Sequence, residues 1–181
     1  LVYENYEGGS AKLDLCIELI QSAVESGHKI LLFSQFTSMI EILTARLQEE
    51  SISCFVLQGS TKKEQRAQMV EQFNRDDTSV FCISLKAGGT GLNLTGADIV
   101  IHYDPWWNVA VENQATDRAH RIGQKNVVTV YKLIAKGTIE EKIIKLQRMK
   151  EELAEEILSG DEIKTASFQR EELLELLEER F

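Results

Sequence analysis

Five short runs rich in Val, Ile, Leu and Phe recur along the chain: "HKILLFSQF" (28–36), "SCFVL" (53–57), "SVFCIS" (79–84), "DIVIHYD" (98–104) and "NVVTVYKLI" (126–134). The continuous apolar runs among them suit strands buried on both faces rather than strands with one wet side. Helical spacing fills the gaps. Residues 10–26 place Leu13, Cys16, Ile17, Ile20, Ala23 and Val24 on one face behind Ser10 as N-cap. A second helix is expected at about 37–50. Thr61 and Glu64 are spaced as a capping box for a helix reaching Phe73, residues 108–122 read as helical, and Thr138 with Glu141 caps a long helix to about 158. Strands alternating with helices call for a parallel sheet covered on both sides. The fold class is therefore α/β. The single proline, Pro105, falls where a strand should end, and "SGDEIKTAS" (159–167) breaks the helical pattern before a last amphipathic segment, "FQREELLELLEERF".

Composition bounds the rest. With 181 residues and 43% apolar content the chain can bury a proper core. No apolar run approaches the roughly 20 residues that span a bilayer, and no signal peptide opens the sequence, so no membrane partner is expected and a soluble, intracellular protein is. Cys16, Cys54 and Cys82 are isolated among apolar neighbours and read as reduced core residues. His28, His102 and His120 lack metal-ligand spacing. The net charge of −9 speaks against nucleic acid, but its distribution does not. The acid excess sits in residues 1–28 and 137–181, whereas residues 29–136 carry twelve bases against eleven acids.

The loop "SLKAGGTGLNLTGA" (84–97) resembles a phosphate cradle at the carboxyl end of a strand, where open α/β sheets bind ligands. It fails the nucleotide fingerprints. Gly91 and Gly96 have P-loop spacing, but Ala97 and Asp98 stand where Lys and Ser/Thr are needed, and Leu94 breaks the dinucleotide pattern. No acidic pair ends an apolar strand to hold magnesium. Backbone N–H groups with Thr90 and Lys86 suit an oxygen anion. A tight turn satisfied by Asn93 and Thr95 fits equally, and the loop alone leaves both readings open.

A second motif, "ENQATDRAHRIGQ" (112–124), shifts the balance. On a helix over 108–122, Gln114, Arg118 and Arg121 fall at i, i+4 and i+7, so two guanidinium forks can meet one phosphoryl group. The plainer reading pairs Asp117 with Arg121 on the surface.

Taken together, "DRAHRIGQ", "AGGTGLNLTGAD", "DPWWN", "KILLFSQF" and "LQGSTKKEQR" resemble the second motor lobe of the SWI/SNF-type DNA translocases, ATP-driven members of helicase superfamily two, over about residues 10–145. Val109 departs from the proline usual after the asparagine. The resemblance implies a RecA-like three-layer sandwich: a central, mainly parallel sheet flanked by helices, with a C-terminal helical extension. It divides the chain into a motor lobe (1–158) and a linker with a C-terminal helix (159–181). ATP and Mg2+ would be held mainly by a first RecA-like lobe of the same protein, whose P-loop and acidic motif are not in this sequence.

By that resemblance Arg118 and Arg121 are the arginine fingers. Gln114, Gly91 and Asn93 belong to the nucleotide cleft, while Gly89, Thr90 and Gly91 hold the DNA backbone in a loop that communicates with it. Further double-stranded-DNA contacts would come from Ser34, Gln35, Gly59, Ser60, Thr61, Lys86 and Trp107. Arg66 either joins them or buttresses its loop. Trp107 is either an exposed stacking or wedging indole or a core residue, and Trp106 packs. The expected function is the second lobe of a duplex-DNA translocase that remodels or displaces DNA-bound proteins, inactive as an ATPase when alone. Compact motif spacing points to a bacterial cytoplasm and nucleoid, with a nucleus as alternative. Rival readings are a lobe of a strand-separating DNA or RNA helicase, a non-catalytic interaction module, or a small-molecule enzyme on a similar sheet.

Overall fold

The computed structural model describes residues 9–87 and 91–159. Helix α1 (Ala11–Glu25) begins where Ser10 Oγ accepts the Leu13 N–H, and it buries Cys16, Ile17, Ile20 and Ala23. It ends in a Schellman turn, with Gly27 N–H donating to Val24 O and His28 N–H to Ala23 O. Gly27 sits there at φ +81°, a left-handed geometry that costs a side-chain-bearing residue. Strand β1 (Ile30–Ser34) follows, then α2 (Thr37–Glu49), β2 (Cys54–Leu57), α3 (Lys63–Arg75), β3 (Val80–Ser84), β4 (Ile99–His102), α4 (Val109–Thr116), β5 (Thr129–Lys132) and α5 (Ile139–Ser159).

The strands form one sheet in the order β2-β3-β1-β4-β5, every described pairing parallel. Alternation within β1 shows how the layers form. Ile30 and Leu32 enter a core covered by α1 and α2, while Leu31 and Phe33 enter a second core with Phe73 of α3, Ala115 of α4 and Leu94. β1, β3 and β4 are buried throughout, as their unbroken apolar runs require, whereas all four residues of β5 at the sheet edge are exposed. Cys16 and Cys82 are buried and Cys54 half-buried, all three as free thiols.

Two local expectations are corrected. Thr61 and Glu64 make no capping box: α3 starts behind Lys62 without a side-chain cap, because Thr61 Oγ1 accepts the Gln58 N–H of its own turn. Residues 108–122 are not one helix either. α4 stops at Thr116, and the chain then tightens to i→i−3 bonds, Arg118 N–H to Ala115 O and Ala119 N–H to Thr116 O, while Leu94 N–H takes the Arg118 carbonyl. At the start of α5 the expected pair is present in altered form. Thr138 Oγ1 accepts from Glu140 N–H, and Glu141 reaches back to Gly137 N–H. No helix among the described residues is long and apolar enough to cross a membrane. The amphipathic segment 168–181 lies outside the described residues.

Candidate nucleotide and nucleic-acid interface

β1, β3 and β4 end side by side, at Ser34, Ser84 and His102, so the loops that follow them share the carboxyl edge of the sheet. Ser34 is fully buried and its hydroxyl lies 2.9–3.0 Å from both oxygens of Asp104. Asp104 also accepts the Gln35 N–H, 3.0 Å away. Burial raises the Asp104 pKa, with the Gln35 N–H and Ser34 hydroxyl opposing. Ser34 therefore fixes the loop from within, and Gln35 is the side chain it presents. Gln35 lines a cleft of about 250 Å³ with Leu85, Lys86, Trp106, Val111 and Gln114. Four separate motifs of the sequence thus meet around one depression.

In the turn after β2, Gly59 and Ser60 are exposed, and Arg66 is tied to backbone carbonyls. Its guanidinium donates to Thr61 O (2.8 Å), Gly59 O (3.0 Å), Gln58 O (3.3 Å) and, across to the glycine loop, Ala87 O (3.4 Å). One charged fork satisfies carbonyls from two loops, which holds both at a fixed spacing.

The described part of the glycine loop is stitched to α3 and to the arginine segment. Asn74 donates to Asn93 O (2.8 Å) and accepts from Gly96 N–H (2.9 Å). A Cβ at Gly96 would stand 3.1 Å from Asn74 Cα, so this glycine is needed for close approach. Gly89 and Thr90 lie outside the described residues.

Arg118 and Arg121 do not share a helix face. Arg118 is only 2% exposed, and its Nε and Nη1 have no hydrogen-bond partner among the described residues. Its pKa is lowered, first by burial and then by the charge of Arg121. Arg121 is exposed and donates through Nη1 to Gly91 O (3.1 Å) and through Nε to Asp117 O (3.3 Å). A desolvated guanidinium with spare donors, beside a second one held by the loop, suits an anionic oxygen cluster. The donor set fits the phosphates of ATP. Among the described residues no three His, Cys, Asp or Glu side chains are grouped to hold a metal.

Trp107 is 54% exposed, with Lys150 Nζ 5.4 Å from its ring centroid, while Trp106 is partly buried against the second core. The indole of Trp107 is thus exposed and is not a core residue. Sequence reasoning passed over Gln124, the last letter of "RIGQ". Its amide donates to Ala97 O (2.7 Å) and Ala119 O (3.2 Å), and its oxygen accepts from Lys125 and Asn126 N–H (2.9 Å each), which clamps the arginine turn to the glycine loop. It also missed Asn74 and Glu112, for which no spacing rule exists.

Residues 11–123 match the helicase conserved C-terminal domain family. The chain is 47% identical over 170 residues to an uncharacterized ATP-dependent helicase of Mycoplasma pneumoniae, covering 93% of this chain and 16% of that protein. It is 43% identical over 169 residues to the human chromatin-remodeling ATPase INO80, covering 93% of this chain and 11% of the relative. Among solved structures, the C-terminal part of the Fun30 ATPase domain superposes with a TM-score of 0.74 at 37% identity, over 80% of this chain and 48% of that one.

Proposed function

Because the chain belongs to the helicase conserved C-terminal domain family, as a RecA-like second lobe of the SWI/SNF type, we propose that it is the second motor lobe of an ATP-dependent double-stranded-DNA translocase. The relatives are far longer proteins, so the activity belongs to a two-lobe whole. The observation that carries the reading is the arginine pair. Arg118 keeps buried N–H donors without acceptors among the described residues, and Arg121 stands exposed beside it on the Gly91 carbonyl. ATP with its Mg2+, held mainly by the first lobe, supplies the phosphoryl group that is transferred.

Everything else falls to this chain's own side chains. Arg118 and Arg121 reach across the cleft to the γ-phosphate oxygens, where charge spreads in the transition state. Gln114, with Gly91 and Asn93 of the loop, shapes the near wall of that cleft. Gln35, Gly59, Ser60, Thr61, Lys86, Gly89, Thr90 and Gly91 are assigned to the DNA backbone, with Ser34 and Arg66 setting the positions of their loops. Trp107 offers its exposed indole to a base or groove. Contacts to phosphate and sugar are independent of base sequence. Alternating grip by the two lobes then steps the motor along duplex and displaces bound proteins.

The test joins the chain to its first lobe and measures duplex-stimulated ATP hydrolysis alongside duplex affinity. Arg121→Ala is expected to lower turnover by about 10³-fold or more with DNA affinity largely kept. The unjoined chain, as control, shows no hydrolysis and only weak, salt-sensitive DNA binding. Equal loss of turnover and affinity in Arg121→Ala contradicts the assignment. Strand separation by the joined protein would favour the helicase reading instead.

A further inference from the structure

Glu112 is fully buried, and three elements outside its own helix converge on its carboxylate. Oε1 accepts the Trp106 N–H at 2.5 Å and the Gln147 amide of α5 at 3.0 Å. Oε2 lies 2.7 Å from Nζ of Lys132 in β5, an ion-pair contact outside hydrogen-bond geometry. The same Gln147 amide also donates to Trp106 O. The backbone of Trp106 is thereby gripped at both polar groups, its N–H by α4 and its C=O by α5. A carboxylate is costly to bury unless its partners are fixed, so the arrangement tolerates little play.

What it fixes lies at the two ends of α4. Before the helix stands the exposed indole of Trp107, next to the gripped Trp106 backbone. At its last residue, Thr116 Oγ1 lies 3.0 Å from Nε2 of His102, and the chain turns there into Arg118 and Arg121. α4 has eight residues, a rod of about 12 Å. On the motor reading, one end belongs to the DNA side and the other to the phosphate side. The Glu112 carboxylate thus joins the tryptophan loop, β5 and α5 to this rod.

We propose that Glu112 is a positioning residue that couples DNA contact at the Trp106–Trp107 loop to the placement of Arg118 and Arg121. This rests on the motor reading above. Displacement of the tryptophan loop by duplex is passed through the Trp106 N–H and the Glu112 carboxylate to α4, which carries the arginines at its far end. Lys132 and Gln147 keep the carboxylate from yielding. Replacing the carboxylate by an amide retains an acceptor for Trp106 but aims N–H donors at the Lys132 ammonium, and the charge-assisted grip is lost.

The experiment uses the two-lobe protein and measures steady-state hydrolysis with and without duplex. Glu112→Gln is expected to cut the duplex-stimulated kcat by about tenfold, with the KM for ATP within about twofold. Combined with Trp107→Ala, it should be no worse than the poorer single variant, as for two groups on one path. Should Glu112→Gln melt below the assay temperature, Gln147→Met cuts the C=O grip from a helix of unchanged length, with at least about threefold loss of stimulation expected. Full stimulation in whichever of these variants is folded, or losses that simply multiply, overturns the inference. An unsubstituted protein whose hydrolysis ignores duplex overturns the motor reading instead, and the coupling with it.

Discussion

His102 and Arg118 both sit buried near the carboxyl edge with polar atoms that have no partner among the described residues, and each has a measurable cost. His102 is stacked on Phe33, with ring centroids 5.5 Å apart, and its Nδ1 has no partner among the described residues. Burial drives its pKa down to about 4, against an upward pull from Glu112, with Lys132 adding to the fall. The unfolded chain binds this proton more readily than the folded one. The histidine's contribution to stability is therefore complete above its ordinary value of 6.5 and lost as pH falls from there through 4, by roughly 3 kcal/mol at most. Asp104, its pKa raised by burial, works the other way. Urea unfolding between pH 6.5 and 4 should accordingly show a shallower acid loss in His102→Leu than in the unsubstituted chain. Parallel slopes would mean that His102 is not buried neutral. The sequence held none of this, since "IVIH" shows an apolar strand but not that its last ring is enclosed. It likewise named Arg118 without disclosing its burial, because an Arg-x-x-Arg spacing looks the same on a surface and in a cleft.

At the scale of elements, the strands were legible because burial on both faces leaves long apolar runs, and β1, β3 and β4 are just such strands. β5 was legible from its β-branched residues although it is exposed. The end of α4 was not. Nothing local forbids helix through 117–122, and it is a tertiary bond, Leu94 N–H to Arg118 O, that accompanies the tighter turn. The capping box failed because the Thr61 hydroxyl serves the Gln58 N–H of its own turn. Helix α2 offers a test of local geometry. It closes like α1, with Ile52 N–H on Leu47 O and Ser51 N–H on Gln48 O, but Ser51 occupies the left-handed position at φ +58°. Ser51→Gly should stabilise the chain by about 0.5–1 kcal/mol, read as a shift in the urea midpoint at unchanged m-value. A neutral or destabilising result would mean that chain entropy outweighs the relief of that geometry.

For the whole molecule, sheet order was beyond sequence reasoning. The five strands could be placed along the chain, but the order β2-β3-β1-β4-β5 is fixed only when crossovers pack. That order brings the loops after β1 and β3 together, and with them Gln35, Lys86 and Gln114 around one cleft. The net charge of −9 would have argued against a DNA partner, yet the acidic excess lies in the terminal stretches and the middle of the chain is balanced. Motif strings marked the candidate site, and the structure separates its exposed side chains from those that hold the loops. Ser34, Arg66, Asn74, Glu112 and Gln124 are of the second kind. Arg118 stands between the two, since a guanidinium with donors unsatisfied among the described residues is a burden to this chain by itself and an asset only against an anion.

That opposition supplies the most direct measurement: turnover of the two-lobe protein and thermal stability of this chain, each with Arg118→Met. The account predicts a chain more stable by about 1–3 kcal/mol, because an unpaired buried charge gives way to an apolar side chain of similar length. It also predicts loss of ATP hydrolysis by about 10³-fold in the joined motor. A variant that hydrolyses ATP normally would contradict it, because Arg118 would then be a structural residue and the phosphate would lie elsewhere.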